Sequence, residues 1–131
     1  MTLIVCLDDR NGMSFNGRRQ SRDSVLCRDV EELSCGRLLV NAYSQKLFPG
    51  ADICPDPLKA AGTEDFCFVE DIDVMQKADR LIVYRWNRHY PSDLKFVTDL
   101  SKEGFILDTV YEFEGSSHEK ITEEKYKRGE V

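Results

Sequence analysis

The feature that most constrains the fold is the opening of the chain. An uninterrupted apolar run at residues 3–7 is followed by Asp8, Asp9 and an Asn11–Gly12 pair. Apolar side chains on both faces of a strand are typical of the centre of a parallel sheet, because helices cover such a sheet on both sides. The Asn-Gly pair predicts a turn directly after the strand. We therefore expect a buried central strand whose carboxyl end leads into a loop at residues 12–20.

Short apolar strands alternate with helical segments along the rest of the chain. A helix capped by Ser21 or Asp23 and ended at Gly36 is predicted from an apolar stripe formed by Val25, Leu26, Val30 and Leu33. Further strands are predicted at residues 38–40, 52–54, 66–69, 81–86, 105–113 and 121–127, with weak alternation at 96–100 and short helices at 45–48, 57–61 and 71–78.

The order of these elements predicts an α/β fold. A single domain over residues 1–131 would hold a mixed sheet, with a parallel core, antiparallel C-terminal strands and short flanking helices. The segment ITEEKYK at 121–127 alternates polar and apolar residues, so we expect it at the sheet edge, protected by its charges.

Composition excludes several functional classes. The chain has 24 acidic and 18 basic residues, a net charge of −6, and would be repelled by a phosphate backbone, so general nucleic-acid binding is not expected. Its five cysteines include no CxxC pair, which predicts reduced thiols and a cytoplasmic protein. We find no leader pattern and no apolar stretch of about 18 residues, so neither a signal peptide nor a membrane segment is expected.

The only dense basic cluster comprises Arg18, Arg19 and Arg22, with Arg10 nearby. It flanks a predicted helix start, where free backbone N–H groups favour anions, and this pattern indicates a phosphate or carboxylate site. A solvated loop that balances an acidic protein is the alternative, and both interpretations stay open.

Histidines give no sign of a metal centre. His89 and His118 have no histidine or cysteine at ligand spacing, so no metal site is expected. The stretch Ser116-Ser117-His118-Glu119 lacks the Gly-x-Ser-x-Gly pattern, and we interpret it as a turn rather than part of a triad. Residues 85–90, RWNRHY, mix aromatic and cationic side chains that can stack on bases or bind a protein partner. The alternative is that they only end a strand, with Arg85 in a salt bridge.

Several short segments, in the correct order over nearly the whole chain, resemble the dihydrofolate reductase family. They are LIVCLDDRNGMSFNG, SRDSVLCRDVEEL, RLLVNAYSQKLF, ADRLIVYRW, SDLKFVTDL, DLSKEGFILDTVYEFE and SSHEKITEEKYKR. The resemblance implies that fold. It aligns the family's catalytic acid with Asp23, its cofactor-contacting helix with the segment containing Ser44, and a pterin-holding threonine with Tyr84. The alternative for Asp23 is a plain helix cap, since a helix amino terminus stabilises an ionised carboxylate.

The chain departs from the family where the cofactor would bind. The family's Gly-Gly pair, which lets the backbone approach NADPH, is replaced here by Glu70-Asp71. Two like charges about 4 Å apart cost on the order of a few kcal/mol near a protein surface, unless Arg or Lys compensates. The region that would hold the adenosine phosphate, 52–65, is mostly acidic. We therefore expect no cofactor, and NADPH is disfavoured.

Three functions remain open, because a fold alone does not decide among them. The first is a degenerate family member that does not reduce folate and binds a small anionic ligand through Arg18, Arg19, Arg22, Tyr84 and Ser44. The second is an acidic interaction or inhibitor module that uses its charge to bind a basic protein. The third is an NADPH-dependent reductase with an atypical cofactor site.

Overall fold

A computed structural model describes residues 1–71 and 78–129 of the chain. The strands in these ranges are β1 Thr2–Leu7, β2 Gly12–Phe15, β3 Arg18–Arg19, β4 Leu38–Val40, β5 Asp52–Ile53, β6 Phe66–Phe68, β7 Arg80–Arg85, β8 Leu94–Lys95, β9 Phe105–Phe113 and β10 Ile121–Arg128. The helices are α1 Ser24–Ser34 and α2 Pro57–Ala60, with a 3₁₀ turn at Ser44–Lys46 where a helix at 45–48 was expected. The helix predicted at 71–78 lies almost wholly outside the described residues.

Seven strands form one mixed sheet in the order β5-β4-β6-β1-β7-β10-β9. The pairs among β5, β4, β6, β1 and β7 are parallel, and β10 is antiparallel to both β7 and β9. The predicted parallel core with antiparallel C-terminal strands is confirmed. At its centre, β1 buries Leu3, Ile4 and Val5 completely, as its continuous apolar run predicted.

Apolar residues fill the space on both faces of this sheet. On one face, Leu26 and Val30 of α1 pack against Ile4 and Tyr84. A second cluster on the other face includes Leu3 and Val5. Each fully buried side chain of this size stabilises the fold by about 1.5–3 kcal/mol. The burial of Leu26 and Val30 therefore stabilises α1 more than the intrinsic helix propensity of its residues does.

The first helix begins and ends close to the predicted residues. Asp23 caps it, and its side chain accepts hydrogen bonds from the first-turn backbone. Cys35, with φ 49°, is its C-terminal cap, and Gly36 follows with φ 80°. Two successive residues in left-handed conformation end a helix efficiently, and glycine adopts that conformation without strain.

Two local predictions were wrong. Residues 12–20 are not a loop throughout, because β2 and β3 form a hairpin about Asn16 and Gly17, whose φ values are 52° and 70°. Asn-Gly is a strong signal for such a two-residue turn. This hairpin pairs with β8 in a separate three-stranded sheet, in the order β3-β2-β8. The weak alternation at 96–100 gives no strand, and the paired residues lie just before it, in β8.

The edge strand was also assigned wrongly. The segment at 121–127 belongs to β10, which lies between β7 and β9, so β9 is the edge. The charges of β10 do not face a free edge, since Glu124 binds Arg85 of β7 and Lys127 binds Asp108 of β9. Charged residues on an inner antiparallel strand can pair with charges on the neighbouring strands. Its sequence then alternates polar and apolar residues, as that of an edge strand does.

No helix within the described ranges is long and apolar enough to cross a bilayer.

Candidate functional site

The carboxyl ends of the parallel strands meet at one edge of the sheet, where ligands of open α/β folds bind. Asp8 follows β1, Glu70 follows β6 and Trp86 follows β7. The segment before α1 and the connection between β9 and β10 reach the same edge, and bring Asp23 and His118 into contact there.

Asp8 holds the loop after β1 together. Its buried carboxylate accepts the backbone N–H groups of Arg10 and Gly12, both at 2.8 Å, and of Tyr90 at 3.2 Å, together with Nε2 of Gln20 at 3.0 Å. Burial opposes its ionisation, but these hydrogen bonds outweigh burial and hold the pKa of Asp8 below its usual value. Asp8 therefore stays ionised and joins three loops.

Asp23 is the most heavily bonded acid of the site, and its side chain is fully buried. The carboxylate accepts hydrogen bonds at 2.9–3.2 Å from the backbone N–H groups of Val25, Leu26, Ser116 and Ser117 and from Nδ1 of His118. A Cβ on Gly115 would overlap this carboxylate, so only glycine fits there. Burial opposes ionisation, but the donors from Ser117, Ser116 and His118 set the pKa of Asp23 well below the usual range.

His118 is the second buried member of this network. Its Nδ1 lies 3.0 Å from Asp23, and its Nε2 lies 3.0 Å from both the Ser21 hydroxyl and the Tyr90 hydroxyl. An ionised carboxylate only accepts, so Nδ1 carries the proton and donates it to Asp23. The imidazole stacks on Trp86, with 4.5 Å between ring centroids. The ring is therefore fixed from its edge and from one face.

Glu70 is neutralised from within the chain. Arg19 binds it with two bonds, Nε to Oε1 at 2.7 Å and Nη2 to Oε2 at 3.0 Å, and the Ser44 hydroxyl donates to Oε2 at 2.6 Å. Arg19 also lies 4.4 Å from the centre of the Tyr43 ring and donates to its carbonyl. The compensating arginine that Glu70 requires is present.

The space between the two networks is small. A cavity of about 20 Å³ lies against Ser21, Asp23, Leu26, Phe68, Glu70 and Trp86. This volume holds about one water molecule. The cleft that this edge of the sheet could offer is therefore nearly filled by the protein itself.

Two open grooves flank the filled cleft. The α1 groove, of about 580 Å³, is lined by Arg22, Arg28, Glu31, Lys46, Ser116 and Ser117, among other residues. The hairpin groove, of about 600 Å³, is lined by Phe15, Asn16, Arg18, Gln20, Tyr90 and Pro91, together with Arg19. The basic cluster seen in the sequence is thus divided, with Arg22 in one groove and Arg18 in the other.

Of the six predicted site residues, the structure joins Arg19 and Ser44 through Glu70 and places Asp23 at the helix cap. Tyr84 does not reach the cavity. It is fully buried, and its hydroxyl donates to Asp29 at 2.6 Å; burial and this acceptor raise its pKa far above the usual value. Its position on β7 turns it toward α1, and Trp86 lines the cavity instead.

Sequence reasoning missed Ser21 as a partner of His118, and His118 and Tyr90 as members of the site. His118 was interpreted as part of a turn, which is where it lies, but its partner Asp23 is 95 positions away. No local pattern reports a contact of that separation. The single available signal was the Ser-x-Asp sequence before the helix, which we interpreted as a choice of caps.

A third buried carboxylate lies on the α1 face of β10. Glu123 is 4% exposed, and one of its oxygens has no hydrogen-bond partner among the described residues. Burial, followed by the neighbouring Asp29 carboxyl, raises the pKa of Glu123 to about 7, although Lys125 at 3.3 Å opposes this shift. This acid therefore titrates near neutrality.

Among the described residues there is no group of three or more side chains placed to hold a metal ion.

Comparison with known proteins identifies the fold of this chain but not its function. No family model matches the chain, and no curated protein matches it. The dihydrofolate reductase of Enterococcus faecalis, solved in complex with NADP(H) and RAB-propyl, is similar in structure with a TM-score of 0.68. The match covers 98% of this chain and 96% of that one at 10% identity, a level at which only the fold is shared. The chain therefore has the dihydrofolate reductase fold.

Proposed function

We propose that this chain is a degenerate dihydrofolate-reductase-like protein that reduces no folate, uses no NADPH and binds a small anion beside its filled cleft. The observation that carries the proposal is the bridge from Arg19 and Ser44 to Glu70, beside a cavity of about 20 Å³. In this proposal the protein is cytoplasmic, which agrees with five free cysteines.

The residues at the cleft do not fit a nicotinamide cofactor. The cavity has room for about one water molecule, whereas a nicotinamide ring needs several times that volume. Opening it would require breaking the Arg19–Glu70 pair, whose side chains are 20% and 9% exposed. Separating a largely buried ion pair costs about 3–5 kcal/mol, and the released Glu70 would face an anionic cofactor. No step through a cofactor is therefore proposed.

The α1 groove is the better place for a small anion. Arg22, Arg28 and Lys46 line it, and none of them has a salt-bridge partner in the part of the chain that the structure describes. Glu31 is the one opposing exposed carboxylate of the lining, since Asp23 is already satisfied by its donors. A net excess of cations favours a phosphate or carboxylate.

Calorimetric titration with NADPH tests whether the cofactor is excluded, and titration with citrate tests whether the α1 groove binds an anion. We expect no heat with millimolar NADPH and measurable citrate binding that weakens about tenfold in Arg22→Ala/Lys46→Ala. Arg37→Ala, which removes an exposed arginine outside the groove, is the matched control. Tight NADPH binding would overturn the proposal. Citrate binding with the same affinity in the double variant as in the wild type would overturn the assignment of the anion site to the α1 groove.

A second candidate, an acidic interaction module, is favoured by the edge strand β9. Ile106, Leu107, Val110 and Tyr111 on this strand are 47–58% exposed. The strand FILDTVYEF carries two acids and no base, so a basic strand could add to its free edge. Titration with a basic, strand-forming peptide should slow amide exchange along β9, and Val110→Lys should prevent this. Unchanged exchange in β9 would exclude that mode of binding.

A further inference from the structure

Three side chains before α1 and after β9 are arranged as in serine hydrolases. Oδ2 of Asp23 lies 3.0 Å from Nδ1 of His118, and Nε2 of the same ring lies 3.0 Å from the Ser21 hydroxyl. A hydroxyl on an imidazole that a carboxylate orients is the arrangement of an activated nucleophile. We propose that Ser21 is a nucleophile for acyl transfer, with His118 as its general base and Asp23 as the orienting group.

The ring of His118 is held in the required tautomer. In the neutral ring, Nδ1–H donates a hydrogen bond to Asp23, which leaves Nε2 as the acceptor for the Ser21 hydroxyl. Backbone donors from Ser116 and Ser117 and the stack on Trp86 prevent the acid and the ring from turning away. This pre-organisation is what a general base needs, because the proton transfer then requires no rearrangement.

Access to the site comes from the hairpin groove. The Tyr90 hydroxyl also lies 3.0 Å from Nε2, and Tyr90 lines that open groove of about 600 Å³. A neutral ring nitrogen has one lone pair, so the Tyr90 hydroxyl competes with that of Ser21 to donate to Nε2. The cavity beside Ser21 has room for about one water molecule, so the acyl group and the leaving group would both lie in the groove.

The proposed step is balanced by water alone. The Ser21 oxygen bonds to the ester carbonyl carbon while Nε2 takes its proton, and that proton then leaves with the departing alcohol. Water next attacks the acyl-serine and gives its proton to Nε2; the acid is released, and Ser21 recovers the proton. The substrates are small esters or thioesters, and neither an oxidant nor a reductant is consumed.

Acylation and deacylation both pass through a tetrahedral oxyanion, and both are expected to be slow. The backbone N–H groups of Ser116 and Ser117 already bind Asp23, and that of Ser24 binds the Ser116 hydroxyl, so they are not available to an oxyanion. Loss of one oxyanion donor costs about 10²–10³ in kcat. A reagent with a good leaving group speeds acylation but not deacylation, so with such a reagent the covalent adduct is the species to measure, rather than steady-state turnover.

The test is covalent labelling of the full chain by p-nitrophenyl acetate and by a small fluorophosphonate, followed by peptide mapping. The fluorophosphonate is included because the five free cysteines also react with the ester. We expect one label on Ser21, absent in Ser21→Ala and at least about 100-fold slower in His118→Gln. Ser101→Ala, which removes an exposed hydroxyl in a distant turn, should label as the wild type does.

A second variant separates chemistry from folding. Ser21→Cys should keep the label at the same position with the ester, since a thiolate is also activated by His118. Labelling that is unchanged in His118→Gln, or that occurs only at other residues while the variants fold normally, overturns the inference. Citrate binding in the α1 groove is a separate readout, so failure here leaves the proposed anion site untouched.

Discussion

Asp23 and Glu123 are both buried acids that pack against α1, yet their environments drive their charges in opposite directions. Both are under 5% exposed. Asp23 meets several N–H donors and its pKa falls well below the usual range, whereas Glu123 meets one half-exposed lysine and another carboxyl, and its pKa rises to about 7. Burial is common to both, so the supply of donors decides which acid is ionised.

The two acids also differ in what they do for the fold. Asp23 fastens the connection between β9 and β10 to the start of α1, which is how two distant parts of the chain share one site. Glu123 makes fewer contacts between segments, because one of its oxygens has no hydrogen-bond partner in the described part of the chain. We expect the first acid to stabilise the protein and the second to reduce its stability above neutral pH.

The largest expected effect is that of Asp23→Ala. It removes the helix cap and leaves the buried His118 ring and the N–H groups of Ser116 and Ser117 without their acceptor, so the free energy of unfolding should fall by about 3–5 kcal/mol. Urea unfolding at pH 7, followed by circular dichroism, measures this loss. Asp9→Ala, the control, removes an exposed acid and should change stability by at most about 0.5 kcal/mol. A loss below about 1 kcal/mol for Asp23→Ala would contradict our view of this network.

A smaller effect concerns acid stability. Because the native pKa of Asp23 lies below its unfolded value, the unfolded state binds more protons at low pH. The stability that Asp23 contributes is present above about pH 4 and is lost as the pH falls further. Asp23→Asn, compared with wild type between pH 2 and 7, should lower stability by about 1–2 kcal/mol at pH 7 and converge toward it in acid. If the stabilities of the two proteins differed by the same amount at every pH, the charge of Asp23 would not be the source of its contribution to stability.

Glu123 should show the opposite sign. Its native pKa of about 7 exceeds its unfolded value, so the native state binds more protons between about pH 4.5 and 7, and stability falls as the pH rises through that range. Glu123→Gln should therefore stabilise the protein by about 1–2 kcal/mol at pH 8 and leave it nearly unchanged at pH 4. Glu112→Gln, at an exposed acid, is the control. If Glu123→Gln destabilised the protein at pH 8, the raised pKa assigned to Glu123 would be refuted.

The smallest effect belongs to an acid that is neither buried nor rich in donors. Asp108 is 40% exposed and pairs with Lys127 at 3.4 Å across β9 and β10. Lys127→Ala should change stability by less than about 0.5 kcal/mol, because exposed ion pairs contribute little. Thermal unfolding at two salt concentrations is the measurement. A salt-sensitive loss above 1 kcal/mol would mean that surface charge, and not donor supply, separates the acids of this chain.

Sequence reasoning succeeded where a local pattern carried the physics. The apolar run of β1 predicted a central strand, and Asp23 before an apolar stripe predicted a helix cap. The fold followed from the order of such segments, which the structural likeness confirms. These features depend on neighbours within about one helical turn.

Features that depend on distant partners could not be predicted in the same way. The contact of His118 with Asp23 spans 95 positions, and the pairing of Glu70 with Arg19 spans 51. The polar alternation of β10 resembled an edge, since a strand alone does not reveal which charges its neighbours supply. The ligand-binding role expected for Tyr84 from the family resemblance depended on the direction of its side chain, which packing against α1 decides.

The stack of His118 on Trp86 has a practical consequence. This is the only tryptophan in the chain, and its ring lies 4.5 Å from the imidazole. The native protein thus contains its own optical probe, whose fluorescence can follow the arrival of a molecule beside the His118 ring without a label.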